Sequence, residues 1–450
     1  MTATVPGSRL LSVEEARAAV LAAVPGPTEP EVSYLSEALG RVLAEPVVST
    51  TALPPWDNSA MDGYAIRAAD VESATEEQPV RLEVIGDVGA GRAPDVEVRR
   101  GTAVRIATGA PVPDGATAVV PVEGTTPLDA AGVAGPRGRD ATGPLPAAAL
   151  VHEAVRVGGS IRRKGSDLAN DVTVLEAGRP LTAQAVALAA GAGVPQLRVH
   201  RRPRVFVLAT GDEVVPAGQA LGPAGIPDAN GPGVAALAED AGAEAQSLGI
   251  AKDRLEDVES RLRAALAGGA DAIVVSGGVS VGPYDVVKLA FENVGRIDVW
   301  RVAVQPGKPF AFGTAERPDG GTALLFGLPG NPVSSFVTFE LFVRPAIRAL
   351  AGHRPDRLFR PVDRGVLLEP VSKSPGRRGF QRVIAERAAD GSPDRDDAGR
   401  VKVRLAGGQA GQGSHVISAL AAADALAVIP EAHDRLEAGA AVELWWIDAG

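Results

Sequence analysis

The chain has 450 residues, which at roughly 150 per domain makes room for about three domains. Hydrophobic residues make up 45% and charged residues 22%, an ordinary globular balance, and a net charge of −10 argues against general nucleic-acid binding while leaving room for a local basic pocket. With no cysteine, disulfides, thiolate zinc sites, iron–sulfur clusters and cysteine nucleophiles are all excluded.

No basic segment followed by an apolar run opens the chain; Glu14 and Glu15 interrupt it early. Ser12-Val13-Glu14-Glu15 has the capping-box pattern, and Val13, Ala16, Val20 and Val24 then share one face, with Leu21 beside them, until Pro25-Gly26-Pro27. Arg17 falls within that stripe and narrows it. From about Val80 the pattern shifts to short β-runs such as Arg81–Ile85 and Val104–Ile106, separated by Gly, Pro and Asp. Residues 125–149, rich in Ala, Gly, Pro and Thr, are expected to form an irregular surface loop. Thr182 is a plausible N-cap for a second helix.

From Arg204 the chain alternates strand and helix. Arg204–Leu208, the segment around Leu248-Gly249-Ile250, Asp271–Ser276 and Thr322–Phe326 read as strands. Helices are expected after Asn230, from Asp253 to Leu266, and as a long amphipathic run after Pro332. Such alternation predicts a parallel sheet covered by helices. After His353-Arg354-Pro355 short strands return, ending in Val442–Ile447, and predict a small β-barrel or sandwich. The longest largely apolar stretch, residues 416–430, is broken by Ser418 and Asp424 and is too short for a bilayer. A soluble, cytoplasmic protein with no membrane partner is expected.

Ligands of open α/β sheets bind beyond the carboxyl ends of the strands, and three loops fall there. Ser276-Gly277-Gly278-Val279-Ser280-Val281-Gly282 lets backbone N–H groups approach an anion. Gly327-Leu328-Pro329-Gly330-Asn331-Pro332 runs into a helix, with Asn331 suited to the N-cap and Pro332 to the first turn. Thr210-Gly211-Asp212-Glu213 adds carboxylates at the same edge. Only six of the 45 basic residues are lysines, so Lys308 in Gln305-Pro306-Gly307-Lys308-Pro309 stands out, as an anion ligand or as an exposed turn residue. Glu213, Asp228, Asp253 and Asp285 offer hard oxygens of the kind that hold Mg²⁺ beside phosphates; singly, each also reads as a cap or solvated acid, and Asp253 as a helix N-cap. The five histidines never approach a zinc-binding spacing. Pro54–Ala65 follows neither the helix nor the strand period and reads as a loop with a possible task beyond structure.

Taken in order, Asp57–Ala65, Thr108–Pro113, Ile161–Gly165, Thr210–Glu213, Ser276–Gly282, Pro306–Phe310 and Gly327–Pro332 resemble the MoeA family of molybdopterin molybdenumtransferases, relatives of the gephyrin E domain. The resemblance runs over essentially the whole chain. It implies an α/β multidomain fold: residues 1–200 as an N-terminal region with a β-rich domain inserted at about 50–150, a MogA-like α/β molybdopterin-binding domain at 201–354, and a C-terminal β-barrel at 355–450. It further implies an elongated homodimer that takes adenylylated molybdopterin and molybdate, hydrolyses the adenylate with Mg²⁺, inserts molybdenum and releases AMP. A molybdopterin adenylyltransferase and acceptor molybdoenzymes are candidate partners.

Position by position, Asp62 and Thr108 would reach the site from the partner subunit, and Glu213, Asp253 and Asp285 match functional acids, with Glu213 and Asp285 as metal ligands. Asp228 and Asn230 match an Asp-x-Asn element. Thr210, Gly211, Ser276, Gly277, Gly278, Ser280, Gly282, Pro329, Gly330, Asn331 and Pro332 would hold the pterin ligand, and Lys308, Ser334, Arg377 and Ser414 suit molybdate. Gln305 stands where relatives often carry lysine, Pro227 where they often carry tyrosine, and Gly411 where a histidine is common. A clustering scaffold and a stand-alone adenylyltransferase are the rival readings. The first would not need Lys308, Asp285 and the glycine loops together, and the second would not need the flanking domains.

Overall fold

The structure is a computed structural model that describes residues 10–138, 143–278 and 286–447. It divides into two compact units, one of residues 1–45, 177–181 and 198–450, the other of 46–176 and 182–197.

The second unit is built on a six-stranded sheet in the order Ala118–Pro121, Gly63–Ile66, Thr102–Ile106, Val80–Val88, Ala148–Val151, Thr125–Leu128. Tyr64 and Ile66 enter one apolar cluster and Ala65 the other, so the strand between them is buried on both faces. Gly63 is a steric requirement here, because a Cβ would overlap the Val120 carbonyl. Residues 125–149 depart from the expected loop: Thr125–Leu128 and Ala148–Val151 pair antiparallel at the sheet edge. Burial of Leu128, Ala148, Ala149 and Val151 overrode the turn-rich composition, and Pro127 is tolerated because an edge strand needs fewer donors. The helix expected after Thr182 spans Ala183–Gly191, with the Thr182 hydroxyl accepting from Ala185 N–H at 3.3 Å.

In the first unit a six-stranded sheet runs Glu244–Ala251, Arg204–Thr210, Ala272–Ser276, Thr322–Leu328, Pro309–Glu316, Arg296–Arg301. The first four strands are parallel; Pro309–Glu316 runs against them and pairs antiparallel on both sides, which the expected parallel sheet lacked. Val205, Val207 and Val274 face one apolar cluster, and Phe206, Leu208, Ile273 and Val275 the other. Continuous apolar strands follow from this two-sided burial. Each such side chain contributes about 1.5–3 kcal/mol when fully buried.

The capping box at Ser12 is present, and the helix covers Val13–Ala22. Arg17, out of place in its apolar stripe, stacks on Phe359 and Trp445, its guanidinium carbon 4.8 and 4.6 Å from the ring centroids. Its Nε donates to the Leu341 carbonyl at 3.3 Å, an acceptor that Pro345, lacking an N–H, cannot serve. The long helix after Pro332 is α-helical over Pro332–Thr338 and Arg344–Leu350, with a π-turn over Phe339–Val343. It is buried nearly all round rather than on one face, and its charged Glu340 and Arg344 join Asp240 and Arg360 in one ion network. At the C-terminus Arg378–Ala385, Val401–Leu405, Val362–Leu367, Ala441–Trp446 and Ala425–Ile429 pair in turn and close through Arg378–Ala385 against Ala425–Ile429, so the barrel alternative holds.

Candidate anion-binding cleft

Strand register sets the site. Ala209 pairs with Ser276 and Ser276 with Leu328, so the loops after these three of the parallel strands leave the sheet at one level. A cavity of about 520 Å³ opens there, lined by Thr210, Gly211, Glu213, Asp228, Asn230, Asp253, Ser276, Gly277, Gly278, Gly330, Asn331, Pro332 and His415. A larger cavity of about 640 Å³ lies on the barrel and touches none of these loops. Ser280, Gly282 and Asp285 lie outside the described residues.

The glycines owe part of their presence to packing. Gly277 has φ +98°, and a Cβ there would stand 2.5 Å from the Thr210 carbonyl oxygen; at Gly278, with φ +62°, it would stand 2.6 Å from Val287. Gly330 brings its backbone against Gly277, with 3.7 Å between a built Cβ and the Gly277 Cα. Ser276 borders the cavity, but its hydroxyl is turned inward, 3.2 Å from Ser335 Oγ. Asn230 reaches across to donate to the Gly330 carbonyl at 2.7 Å, which ties the strand-end loop to the helix Asn230–Asp240.

Two local roles differ from expectation. Asn331 has the backbone of an N-cap but its side chain does not cap; it donates to Ser414 Oγ at 3.1 Å, while the Val333 N–H goes to the Ser414 carbonyl at 3.1 Å. The helix start is thus partly occupied by its own protein partner. Asp253 is not an N-cap: the helix begins at Leu255, and Asp253 instead lines the cavity. Burial raises the Asp253 carboxyl above its ordinary range, and the negative charges of Asp212 and Glu213 add to the shift. Asp228 does take a capping role, accepting from Gly231 N–H at 2.8 Å.

Crowded carboxylates at an anion site suit a hard cation. Among the described residues no three acidic or imidazole side chains converge to hold a metal by themselves. Glu213 and Asp253 fit a Mg²⁺ that takes the rest of its oxygen shell from phosphate and water.

Of the molybdate candidates, Ser334, Ser414 and the turn bearing Lys308 meet at the same helix. Ser334 is buried in its first turn, and Ser414 is bound to it through Asn331 and Val333. Gly307 has φ +109°, and a Cβ there would stand 2.5 Å from Thr338 Cγ2, so the turn bearing Lys308 lies directly on this helix. Arg377 precedes Arg378, whose N–H donates to the Ala303 carbonyl at 2.8 Å. Lys308 and Arg377 are half-buried and have no acidic partner among the described residues, whereas Arg378 pairs with Glu14 and with Glu431. Cations and hydroxyls of this kind suit a tetrahedral oxyanion.

The loop before Ser414 is held from below. Gln412 accepts from Arg382 N–H at 2.9 Å and donates to the Arg382 carbonyl at 3.0 Å, and Arg382 Nη2 donates to the Gly413 carbonyl at 3.1 Å. Arg382 is fully buried without a carboxylate, and burial lowers its pKa to about 10. Sequence reasoning missed Arg382 and His415. Of these only His415 left a trace, as a rare histidine directly after Ser414.

In the second unit, the motifs of the N-terminal half interlock. Ser59 pairs with Ile161, Asn58 bridges to Pro111, and Asp57 accepts from Lys164 N–H at 2.8 Å and Arg163 Nη1 at 2.6 Å. The Lys164 N–H, and then Arg163, hold the Asp57 carboxyl below its usual range. The segment around Asp57, read from the sequence as a loop with a task beyond structure, is therefore partly structural. Asp62, exposed, accepts from both the N–H and the hydroxyl of Thr108, at 2.7 and 2.9 Å.

A sheet-edge cleft lined by glycine loops and carboxylates makes this an α/β protein with a cavity suited to a phosphorylated ligand. Comparison with known proteins narrows this class. Family models for the MoeA N-terminal region (domains I and II), a probable molybdopterin-binding domain and the MoeA C-terminal region (domain IV) match residues 11–193, 206–349 and 364–447. Molybdopterin molybdenumtransferase 2 of Mycobacterium tuberculosis is 38% identical over 91% of this chain and 93% of its own length. The molybdopterin molybdenumtransferase of Haemophilus influenzae is 35% identical over 97% and 98%. A crystal structure of the molybdopterin biosynthesis MoeA protein from Pyrococcus horikoshii superposes with a TM-score of 0.76 at 26% identity, covering 97% of this chain and all of that one. The chain belongs to the MoeA family. No helix among the described residues is long and apolar enough to cross a membrane.

Proposed function

We propose that this chain is an enzyme of molybdenum cofactor biosynthesis that binds adenylylated molybdopterin and molybdate, hydrolyses the adenylate in a Mg²⁺-dependent step, and transfers molybdenum to the dithiolene. The observation that carries this reading is a cleft of glycine loops and acids ending at the helix start to which Ser414 and the turn bearing Lys308 are attached. The glycine loops and acids of the cleft would form the first half of the site; Lys308, Arg377, Ser334 and Ser414 would form the second. A pterin phosphate and its adenylate suit the first, and a tetrahedral oxyanion suits the second.

Glu213 and Asp253, with Asp285, would hold Mg²⁺ against the phosphates. The ion, when bound, neutralises phosphate oxygens and eases attack of water at phosphorus. Hydrolysis consumes one water, breaks one P–O bond of the phosphoanhydride and yields AMP and a pterin phosphate, so no ATP is used. Lys308 and Arg377 hold molybdate by charge-assisted hydrogen bonds, and the Ser334 and Ser414 hydroxyls fix its orientation. The protein acts in the cytoplasm as a homodimer, with Asp62 and Thr108 of the partner subunit completing each site.

Mixing the protein with adenylylated molybdopterin, molybdate and Mg²⁺ tests the reading. AMP release that needs molybdate, stops in excess chelator and returns with Mg²⁺ or Mn²⁺ supports it. Full turnover in chelator removes the metal step. Pterin adenylylation at the expense of ATP reassigns the enzyme as an adenylyltransferase.

A further inference from the structure

We propose that Gln305 is a positioning residue for the oxyanion half of the site, clipping the loop that carries Arg377 onto the turn that carries Lys308. The inference rests on the reading of Lys308 and Arg377 as molybdate ligands and adds what sets their separation.

The Ser374 N–H donates to Gln305 Oε1 at 2.8 Å, across 69 residues of sequence. Next to it, Val304 and Gln305 pair in parallel with Arg378 and Gly379, and the Arg378 N–H donates to the Ala303 carbonyl at 2.8 Å. Residues 374–378 are therefore fastened to 303–305 at both ends, with Arg377 between the two attachments. Only the Ser374 end depends on a side chain. Beyond Gln305, Gly307 seats the turn on the helix that carries Ser334. Gln305 is thus the joint between the two cations, at a place where neither has an acidic partner among the described residues.

The chemistry of the joint is specific to a side-chain acceptor. Ser374 offers an N–H, so the amide must present its oxygen. Leucine and methionine fill similar space without an acceptor, and lysine adds a charge but carries only donors. Losing one such hydrogen bond weakens what it positions by about three- to tenfold.

The test measures AMP release against molybdate concentration in full-length protein, together with hydrogen exchange at the Ser374 amide. Gln305→Leu and Gln305→Met should each raise the molybdate KM by about three- to tenfold, leave kcat at saturating molybdate within about twofold, and speed Ser374 exchange. Gln305→Glu, which keeps an acceptor, should keep Ser374 protected. Gln305→Lys should also raise the molybdate KM; a lower KM would mean that charge alone matters, and would overturn the proposal. Lys308→Ala serves as the reference. If it raises the molybdate KM while Gln305→Leu and Gln305→Met do not, the positioning role fails and the oxyanion reading stands. If none of the three changes molybdate dependence, the reading of the oxyanion site itself fails.

Discussion

At Gly277 and Gly330 two residues of the same kind make opposite demands. Alanine at 277 must adopt φ near +98° and meets the Thr210 carbonyl. Left-handed backbone costs about 1–2 kcal/mol and overpacking a further 1–3 kcal/mol, so Gly277→Ala should lower the denaturation midpoint clearly. Gly330→Ala has ordinary contact distances and should leave that midpoint nearly unchanged while weakening adenylylated-pterin binding, because the added methyl borders the cavity. Equal loss of stability in both variants would refute the steric account. His353 supplies a residue-scale pH dependence. Burial, reinforced by Arg348 and Arg344, lowers its pKa to about 3 from an ordinary value near 6.5. The folded state therefore holds it neutral while the unfolded chain takes up a proton, so stability falls as pH drops below about 6.5 and continues to fall toward 3. His353→Leu should flatten part of that slope in urea titrations at pH 7 and pH 5; an unchanged slope would remove His353 as its source.

Among the structural elements, the link between the barrel loop and the helix start at Pro332 decides the geometry of Ser414. Gln412 satisfies both backbone groups of Arg382 and also donates to the Ala406 carbonyl at 2.6 Å. Gln412→Ala leaves buried backbone groups unpaired, at a cost of about 1–3 kcal/mol. It should raise the molybdate KM through a displaced Ser414 and lower stability together. Ser414→Ala should raise the KM with stability nearly intact. If Gln412→Ala loses stability but keeps its molybdate KM, the loop does not position Ser414. Elements with strong local signals were legible beforehand. The capping box at Ser12, the Thr182 cap and the four parallel strands needed only side-chain period and cap chemistry. Strands Thr125–Leu128, Ala148–Val151, Arg296–Arg301 and Pro309–Glu316 were not, because they owe their pairing to neighbours distant in sequence.

On the scale of the whole molecule, the proposed shared site predicts a homodimer. Light scattering at micromolar concentration should give twice the mass of the 45.9 kDa chain. Asp62→Ala and Asp285→Ala should each inactivate the homodimer, while mixed heterodimers recover part of the activity, since one of the two sites then has both acids. No recovery in verified heterodimers would end the shared-site idea. By itself the sequence determined which loops end the parallel strands, that cysteine chemistry is absent, and that Lys308 lies in a stiff turn, because composition, period and glycine–proline spacing are local quantities. Tertiary structure alone decided that Asn331 binds Ser414 instead of capping its helix, that Asp253 faces the cleft, and that Gln305 holds Ser374. A polar side chain takes whichever partner folding brings within about 3 Å, and that partner lies 83 residues from Asn331 and 69 from Gln305.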